Sequence, residues 1–240
     1  MYGRIVKPFI ANRDFIVFDQ RGTSYSNTSI ECMEISNLTY ETLNRNNSME
    51  DTASMSLSAI SECKERLVSE DVDLSAYNSA ENAADLASLR QSLGYDEWNL
   101  FGISYGTKLA LTTMRDYPNG IRSVILDSAY PLQVDLYTSL LPNIDRALNL
   151  LFKECIEDKI CDRDYPALES SFYAVAQRLD KYPASISTTH PDSGKRIKAV
   201  LNGPLFVNLI FESLYQTDTI PAIPMIINNT EAGNYRTFIE

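Results

Sequence analysis

The sequence predicts an α/β fold with a parallel sheet in its first half and a mostly helical second half. Short apolar runs at residues 14–19, 99–101 and 122–127 are typical of buried parallel strands. One stretch of helical periodicity precedes the run at residues 99–101, and another lies between that run and residues 122–127. Strands that alternate with helices indicate a parallel sheet.

The first predicted strand, residues 14–19, leads into a polar turn at residues 19–23. Such turns are found at the carboxyl ends of parallel strands. Residues 24–77 are polar and rich in Asn and Ser, with weak helical patterns only near residues 57–68. We interpret residues 24–77 as an inserted loop region on the surface.

The next element is a predicted helix that Asn78 caps and Gly94 ends. Its expected apolar face consists of Ala83, Leu86, Leu89 and Leu93. A second helix begins at Tyr105 and should stop before Pro118, because the residue preceding a proline disfavours helical geometry.

The strand at residues 99–101 enters a Gly-x-Ser-x-Gly sequence, residues 102–106, and a helix follows. This order predicts a nucleophile elbow, a sharp strand-to-helix turn that exposes the Ser104 hydroxyl. Gly102 and Gly106 are expected where the strand and the helix pack too closely for side chains. The backbone N–H of Tyr105 would then stabilise the oxyanion of an acyl-transfer reaction.

Composition limits the possible partners. The chain is 44% hydrophobic, which suits a folded core, and its net charge of -11 argues against nucleic acid and anionic membrane surfaces. No apolar run has the length of a membrane-spanning helix, so no membrane insertion is expected. His190 is the only histidine and no Cys-x-x-Cys motif occurs, so we expect neither a metal nor a cofactor.

Four cysteines occur as two local pairs, Cys32 with Cys63 and Cys155 with Cys161. An even count in separate segments favours two disulfides and an oxidising compartment. Four buried free thiols in a cytosolic protein are the alternative.

After Pro131 the pattern becomes mostly helical. Four helices are expected, with one hairpin at residues 186–200. The first three helices carry apolar stripes, and the fourth spans residues 221–232. The stripe of the first helix is Ile144, Ala147, Leu148, Leu151, Phe152 and Cys155. The second has Leu168, Phe172, Val175 and Leu179, and the third has Leu205, Leu209, Ile210 and Leu214. We therefore predict two domains, residues 1–131 and residues 132–240.

Several segments resemble the α/β hydrolases, and specifically the proline iminopeptidase and tripeptidyl aminopeptidase branch of serine exopeptidases. They are Asp-Gln-Arg-Gly-Thr at 19–23, Ala-Asp-Leu at 84–86, Leu-Arg-Gln-Ser-Leu-Gly-Tyr at 89–95, Gly-Ile-Ser-Tyr-Gly-Thr-Lys-Leu-Ala at 102–110, Met-Arg-Asp-Tyr-Pro at 114–118 and Ser-Val-Ile-Leu-Asp-Ser-Ala-Tyr-Pro at 123–131. The resemblance implies a hydrolase core at residues 1–131 and a helical lid at residues 132–240. One departure is Thr-Ser-Tyr-Ser at 23–26, where the branch usually has Thr-Gly-x-Ser.

Other parts of the family pattern have no match in residues 1–240. The family's triad takes its acid and histidine from strands beyond the lid, and its second oxyanion donor from a loop upstream of residues 2–11. The resemblance therefore implies a hydrolase that is truncated at both ends. His190 lies in a predicted hairpin turn, where we expect its ring to be exposed to solvent, and Asp127, at a strand end, looks structural in this family.

The resemblance implies an aminopeptidase that takes peptides with a free N-terminus and forms an acyl-enzyme on Ser104. Acidic lid residues, Glu212 and Glu231 among them, are candidates for reading the substrate ammonium. Alternatives are an esterase on the same scaffold, a catalytically inactive fragment or split-gene product, and a small-molecule binding protein. Paired cysteines and the resemblance favour a secreted or periplasmic location, whereas the sequence leaves the oligomeric state open.

Overall fold

The computed structural model of the chain describes residues 6–26, 28–190 and 193–238. It divides into two compact units. Unit 1 comprises Met1–Glu34 and Ile60–Val134, and unit 2 comprises Ile35–Ala59 and Asp135–Glu240. The division into domains at residues 131 and 132 stays a prediction.

Helices and strands follow one another along the described chain. They are α1 (Met33–Thr42), α2 (Met49–Ser69), α3 (Ser79–Ser92), β1 (Trp98–Ile103), α4 (Tyr105–Asp116), β2 (Ile121–Asp127), α5 (Leu136–Glu157), α6 (Lys159–Asp164), α7 (Leu168–Lys181), β3 (Ala184–Thr189), β4 (Arg196–Leu201), α8 (Gly203–Ser213) and α9 (Ile223–Glu231). Short 3₁₀ turns at Leu74–Ala76, Ile220–Ala222 and Arg236–Phe238 complete the set.

Unit 1 contains a two-stranded parallel sheet in which Ile103 at the end of β1 pairs with Asp127 at the end of β2. Helix α3 packs on α4, and their buried residues Ala83, Leu86 and Leu109 form a small core. Asn78 caps α3 by accepting from two backbone amides, and Gly94 follows its end with φ of +77°, as predicted. The predicted apolar face is wrong at Leu93, which is 48% exposed.

The predicted strand at residues 14–19 is wrong. These residues have no regular secondary structure, and no other strand pairs with them in the described part of the chain. Phe18 packs against the small core, but Val17 is 62% exposed. A strand requires a hydrogen-bonding neighbour as well as an apolar sequence, and here the neighbour is missing among the described residues.

The strand predicted at residues 122–127 is confirmed as β2, but its predicted burial is wrong. Ile125 is 48% exposed and Leu126 is 36% exposed. Phe101 and Ile103 on β1 are exposed to a similar extent. Strands gain their burial from elements that cover both faces of the sheet, and the described residues cover these faces only in part.

Residues 24–77, predicted as a loop region, are largely helical, because α1 and α2 lie within them. The helical pattern predicted at residues 57–68 is confirmed, although α2 begins earlier. Ser48 starts this helix: its hydroxyl accepts from the Asp51 backbone amide at 3.0 Å and donates to the Asp51 carboxylate at 2.7 Å. Capping and good helix formers therefore outweigh the polar composition.

Unit 2 has a continuous core built from α5, α7, α8, α9 and the antiparallel β3–β4 hairpin. The predicted stripes on α5 and α7 are buried at Leu148, Leu151, Phe152, Cys155, Leu168, Phe172, Val175 and Leu179, whereas Ile144 and Ala147 are only partly buried. On α8 the buried residues are Gly203, Phe206 and Ile210. Of the positions predicted there, Ile210 is therefore confirmed, and Leu205, Leu209 and Leu214 are only partly buried against the core. The hairpin and the fourth helix are also confirmed.

Both predicted disulfides are present, one in each unit. Cys32 is joined to Cys63 and Cys155 is joined to Cys161, with Cα–Cα distances of 5.4 and 5.1 Å. Beside the first disulfide, the Arg66 guanidinium donates to the Glu34 carboxylate at 2.6 Å. The disulfide attaches Cys32, the residue before α1, to α2, and the ion pair joins the first turn of α1 to the same helix. Among the described helices, none combines the length and the apolarity that a membrane crossing needs.

Candidate active site

Ser104 lies at the sharp turn between β1, which ends at Ile103, and α4, which begins at Tyr105. Its backbone has φ of 53° and ψ of -121°, a conformation that non-glycine residues rarely adopt. The residue is exposed. The local geometry therefore corresponds to the elbow that the sequence predicts, with the serine standing on a strained turn.

Gly102 is required by a close approach within the elbow. A Cβ atom at this position would lie 2.5 Å from the backbone oxygen of Gly106, a distance that no side chain tolerates. At Gly106 the situation differs, because a Cβ atom there would meet no described atom within 4 Å. The steric need predicted for both glycines thus holds at Gly102, whereas Gly106 contributes its backbone to the contact.

Two hydrogen bonds attach Ser104 to the end of β2 and the loop behind it. The Ser104 amide donates to the Asp127 carbonyl at 3.0 Å. The Ser104 carbonyl accepts from the Thr107 hydroxyl at 2.7 Å, and that hydroxyl accepts from the Tyr130 amide at the same distance. Thr107 is fully buried, so these bonds are shielded from water.

Tyr105 contributes a backbone amide at the first position of α4. The first amides of a helix have no intrahelical acceptor, and no oxygen of the described residues accepts from this one. The phenol hydroxyl of Tyr105 lies 2.9 Å from the Ser79 hydroxyl at the start of α3. The amide therefore offers an N–H group at the positive end of a helix, beside the serine.

Arg21 fixes the polar turn at residues 19–23. Its guanidinium makes two hydrogen bonds of 2.7 Å to the Asp85 carboxylate and one of 2.8 Å to the Ala76 carbonyl. The hydrogen bonds to Asp85 raise the pKa of Arg21 above its ordinary value. Arg21 thus joins the turn to α3.

A cavity of about 750 Å³ lies in unit 1, bounded by residues 9–20, β1, α4 and β2. Its apolar walls include Phe9, Phe15, Trp98 and Phe101. The ring of Phe9 lies 6.0 Å from that of Phe15 and 6.3 Å from that of Phe101. Ser104 does not line this cavity, so we do not assign it to a substrate.

His190 and the two acidic candidates belong to unit 2. The ring of His190 is half-buried, stacks on Tyr40 at 4.3 Å, and its Nδ1 accepts from the Ser193 amide. The histidine is therefore more enclosed than the exposed turn residue that the sequence predicts. Glu212 and Glu231 are exposed.

Asp127 is the carboxylate nearest to the elbow in the register of the sheet, since it pairs with Ile103. Its side chain is exposed and accepts from the Ser128 hydroxyl at 3.2 Å. The contact that ties Asp127 to Ser104 uses its backbone carbonyl. This arrangement agrees with a structural role and leaves the carboxylate accessible.

Sequence reasoning missed Thr107 and Tyr130. Both belong to the segments that carry the family resemblance, yet neither residue type marks a catalytic group. Adjacency to Gly106 was the one available signal for Thr107, because the residue after the second glycine lies on the first turn of the elbow helix.

The family model of the alpha/beta hydrolase fold matches residues 3–221, which is most of the chain. No curated protein matches the chain. The match includes the strand, the elbow and the helix described above, and it agrees with the parallel pairing of β1 and β2. The chain therefore belongs to the alpha/beta hydrolase fold family.

Proposed function

We propose that this protein is a serine hydrolase of the aminopeptidase type, with Ser104 as its nucleophile. The observation that carries this proposal is the backbone of Ser104, with φ of 53° at an exposed turn between β1 and α4. A strained conformation of this kind persists only where the surrounding structure enforces it, and it is common at catalytic residues. Membership of a hydrolase family supports the same conclusion.

In the proposed reaction the Ser104 hydroxyl attacks the carbonyl carbon of the first residue or short unit of a peptide. The Tyr105 amide stabilises the negative oxygen of the tetrahedral intermediate. The leaving amine departs with a proton from the general acid, and an acyl-enzyme remains on Ser104. Water then attacks the ester carbonyl, so that the N-terminal residue or short unit leaves with a free carboxyl group and the Ser104 hydroxyl is restored.

The general base is a separate question, because the sequence has a single histidine. The ring of His190 is occupied by its stacking on Tyr40 and its contact with the Ser193 amide. We therefore propose that a group other than His190 serves as the base of Ser104.

Selectivity for a free N-terminus rests on the resemblance of residues 14–131 to proline iminopeptidases and tripeptidyl aminopeptidases. We propose that an acidic side chain reads the substrate ammonium. The test compares KM for peptides with a free N-terminus with KM for the same peptides after N-acetylation. A lower KM for the free peptides is expected, and equal values would contradict this selectivity.

The decisive experiment is labelling of the purified chain with a fluorophosphonate, detected as an increase in intact mass. We expect an adduct on the unaltered chain and none on Ser104→Ala, because only an activated serine reacts with this reagent. The variant His190→Ala should label as the unaltered chain does. A lack of adduct on the unaltered chain would contradict an activated Ser104 in this polypeptide.

The second candidate is a catalytically inactive member of the family. It is favoured by the single histidine and by the enclosure of its ring against Tyr40. Addition of polypeptides that carry the family's triad acid and histidine distinguishes the two candidates. Recovery of labelling on Ser104 would support the hydrolase, and an unreactive serine in the complete assembly would support the inactive protein.

A further inference from the structure

We propose that the Thr107 hydroxyl is a positioning group that sets the direction of the Tyr105 N–H, the oxyanion donor of the proposed hydrolase. This inference rests on the function proposed above. The Ser104 carbonyl and the Tyr105 amide belong to one peptide group, which is planar. A hydrogen bond that fixes the carbonyl therefore also fixes the direction in which the N–H points.

The Thr107 hydroxyl occupies both of its hydrogen-bonding directions. It donates to the Ser104 carbonyl at 2.7 Å, and its oxygen accepts from the Tyr130 amide at 2.7 Å. The side chain is fully buried. Because water cannot replace either bond, removal of the hydroxyl would leave the Tyr130 amide without its partner and the Ser104 carbonyl with the Thr107 amide alone.

Other buried threonines of α4 make a different contact. The hydroxyls of Thr112 and Thr113 donate to the Lys108 and Leu109 carbonyls, four residues earlier in the same helix. Such bonds are a common feature of threonine inside helices and involve no second segment. Thr107 instead joins the residue before the helix to the loop after β2, so its bond is specific to the elbow.

The strain at Ser104 gives this link its importance. A residue with φ of 53° tends to relax to a commoner conformation unless its neighbours hold it. The Ser104 amide is held by Asp127, and its carbonyl is held through Thr107 by Tyr130. Relaxation on the carbonyl side would rotate the peptide and turn the Tyr105 N–H away from the oxyanion.

The test compares Thr107→Val, Thr107→Ser and Thr113→Val in the full chain. Valine keeps the shape and removes the hydroxyl, serine restores the hydroxyl, and Thr113 is the matched control because it is also buried and bonded within α4. Fluorophosphonate labelling gives the inactivation rate constant and the reversible binding constant separately. Amide hydrogen exchange at Tyr130 gives a readout that does not depend on reactivity.

We expect Thr107→Val to lower the inactivation rate constant by about tenfold or more, with little change in reversible binding. Exchange at the Tyr130 amide should accelerate by about tenfold or more, since this N–H loses its acceptor. Thr107→Ser should recover both quantities, and Thr113→Val should retain both. Equal effects of Thr107→Val and Thr113→Val on the rate constant would overturn the positioning role.

The two proposals fail in different ways. If Ser104 labels in the unaltered chain and Thr107→Val has no effect beyond that of Thr113→Val, the positioning role is wrong and the hydrolase stands. If no variant labels but Tyr130 exchange accelerates in Thr107→Val alone, the link to the elbow exists and the proposed function fails. If exchange is unchanged in Thr107→Val, the link itself is contradicted.

Discussion

The two units differ in the interactions that stabilise them: apolar packing dominates in unit 2, and polar contacts are more prominent in unit 1. Unit 2 has a continuous apolar core in which Phe172, Leu179 and Phe206 are almost completely buried. Unit 1 has a small core around Ala83, Leu86 and Leu109, and its sheet leaves large apolar side chains exposed. Its elbow is instead held by the hydrogen bonds of Thr107, and its polar turn at residues 19–23 is joined to α3 by the ion pair of Arg21 with Asp85.

This difference indicates how the candidate site is built. Packing contributes in proportion to the apolar area removed from water, so unit 2 is the part that gains most from it. A strained serine needs neighbours that fix its peptide groups in direction, which hydrogen bonds do and non-directional packing does not. Ser104 therefore lies where directed contacts prevail over packing.

The largest expected effect comes from removing a ring from the core of unit 2. Phe172 is 1% exposed and contacts the rings of Phe152, Tyr173 and Phe206. We expect Phe172→Ala to reduce the free energy of unfolding by about 3–5 kcal/mol, measured by urea denaturation followed by circular dichroism.

Removal of a ring from unit 1 should reduce the free energy of unfolding much less. Phe101 is 36% exposed, so we expect Phe101→Ala to reduce the free energy of unfolding by about 1 kcal/mol or less. The chain has one tryptophan, Trp98 of unit 1, and its fluorescence follows this unit directly. A similar loss in both variants would break the comparison.

The two disulfides should contribute different amounts to the free energy of unfolding, because they close loops of different length. The bond in unit 1 spans a sequence separation of 31, and the bond in unit 2 spans 6. In the chain-entropy treatment, replacing Cys32 and Cys63 by Ser should cost about 3–4 kcal/mol, and replacing Cys155 and Cys161 about 2 kcal/mol. Urea denaturation of the two double variants checks the order, and a reversed order would contradict the entropic account.

Adding one carbon atom to the elbow should have an intermediate effect. Gly102→Ala brings a Cβ atom to 2.5 Å from the Gly106 oxygen, and we expect a loss of about 1–3 kcal/mol with slower labelling of Ser104. Gly106→Ala is the matched control. It has open space and lies in α4, so it should be neutral or should stabilise by up to about 1 kcal/mol. Equal losses would show that the close contact is not decisive.

The smallest expected effect is a pH dependence at the ion pair of Glu34 and Arg66. The hydrogen bond from Arg66 lowers the pKa of Glu34 below its ordinary value of 4.5. The pair therefore stabilises the fold above that pH, and its contribution is lost as the pH falls through the lowered pKa. We expect Glu34→Gln to show a shallower loss of stability than the unaltered chain between about pH 5 and about pH 3.

Salt provides the control for this prediction. Asp158 in unit 2 also has a lowered pKa, but the cause is different from that at Glu34. Its carboxylate accepts from the backbone amides of Cys161 and Ile160. High salt should reduce the pH-dependent difference between Glu34→Gln and the unaltered chain more than the corresponding difference between Asp158→Asn and the unaltered chain. Salt screens the attraction between two charged side chains, whereas Asp158 is held by backbone amides. An unchanged pH slope in Glu34→Gln would contradict the role of the pair.

Much of the helical structure could be predicted from the sequence, because its signals are local. Asn78, Gly94 and Pro118 mark helix ends by their own backbone chemistry, and the stripe from Leu168 to Leu179 follows the helical period. The turn at Ser104 was predicted for the same reason. The glycine at position 102 reflects the close approach of its backbone to that of Gly106, four residues later in the sequence.

Non-local features were beyond such reasoning. The apolar run at residues 14–19 has the composition of a strand, but pairing depends on a partner that the run itself does not specify. Thr107 is polar and fully buried, and the sequence shows neither its burial nor the distant Tyr130 amide that it binds. Hydrophobic periodicity carries no information on a hydroxyl that joins two segments.

The positive φ of Ser104 also has an evolutionary consequence. Glycine adopts this backbone region without strain, whereas a residue with a Cβ atom loses about 1–3 kcal/mol there. A display library selected only for folded yield, with no substrate present, should therefore enrich glycine at position 104. Persistence of serine in that selection would show that something other than turnover keeps it, whereas enrichment of glycine would mean that serine survives only under selection for its hydroxyl.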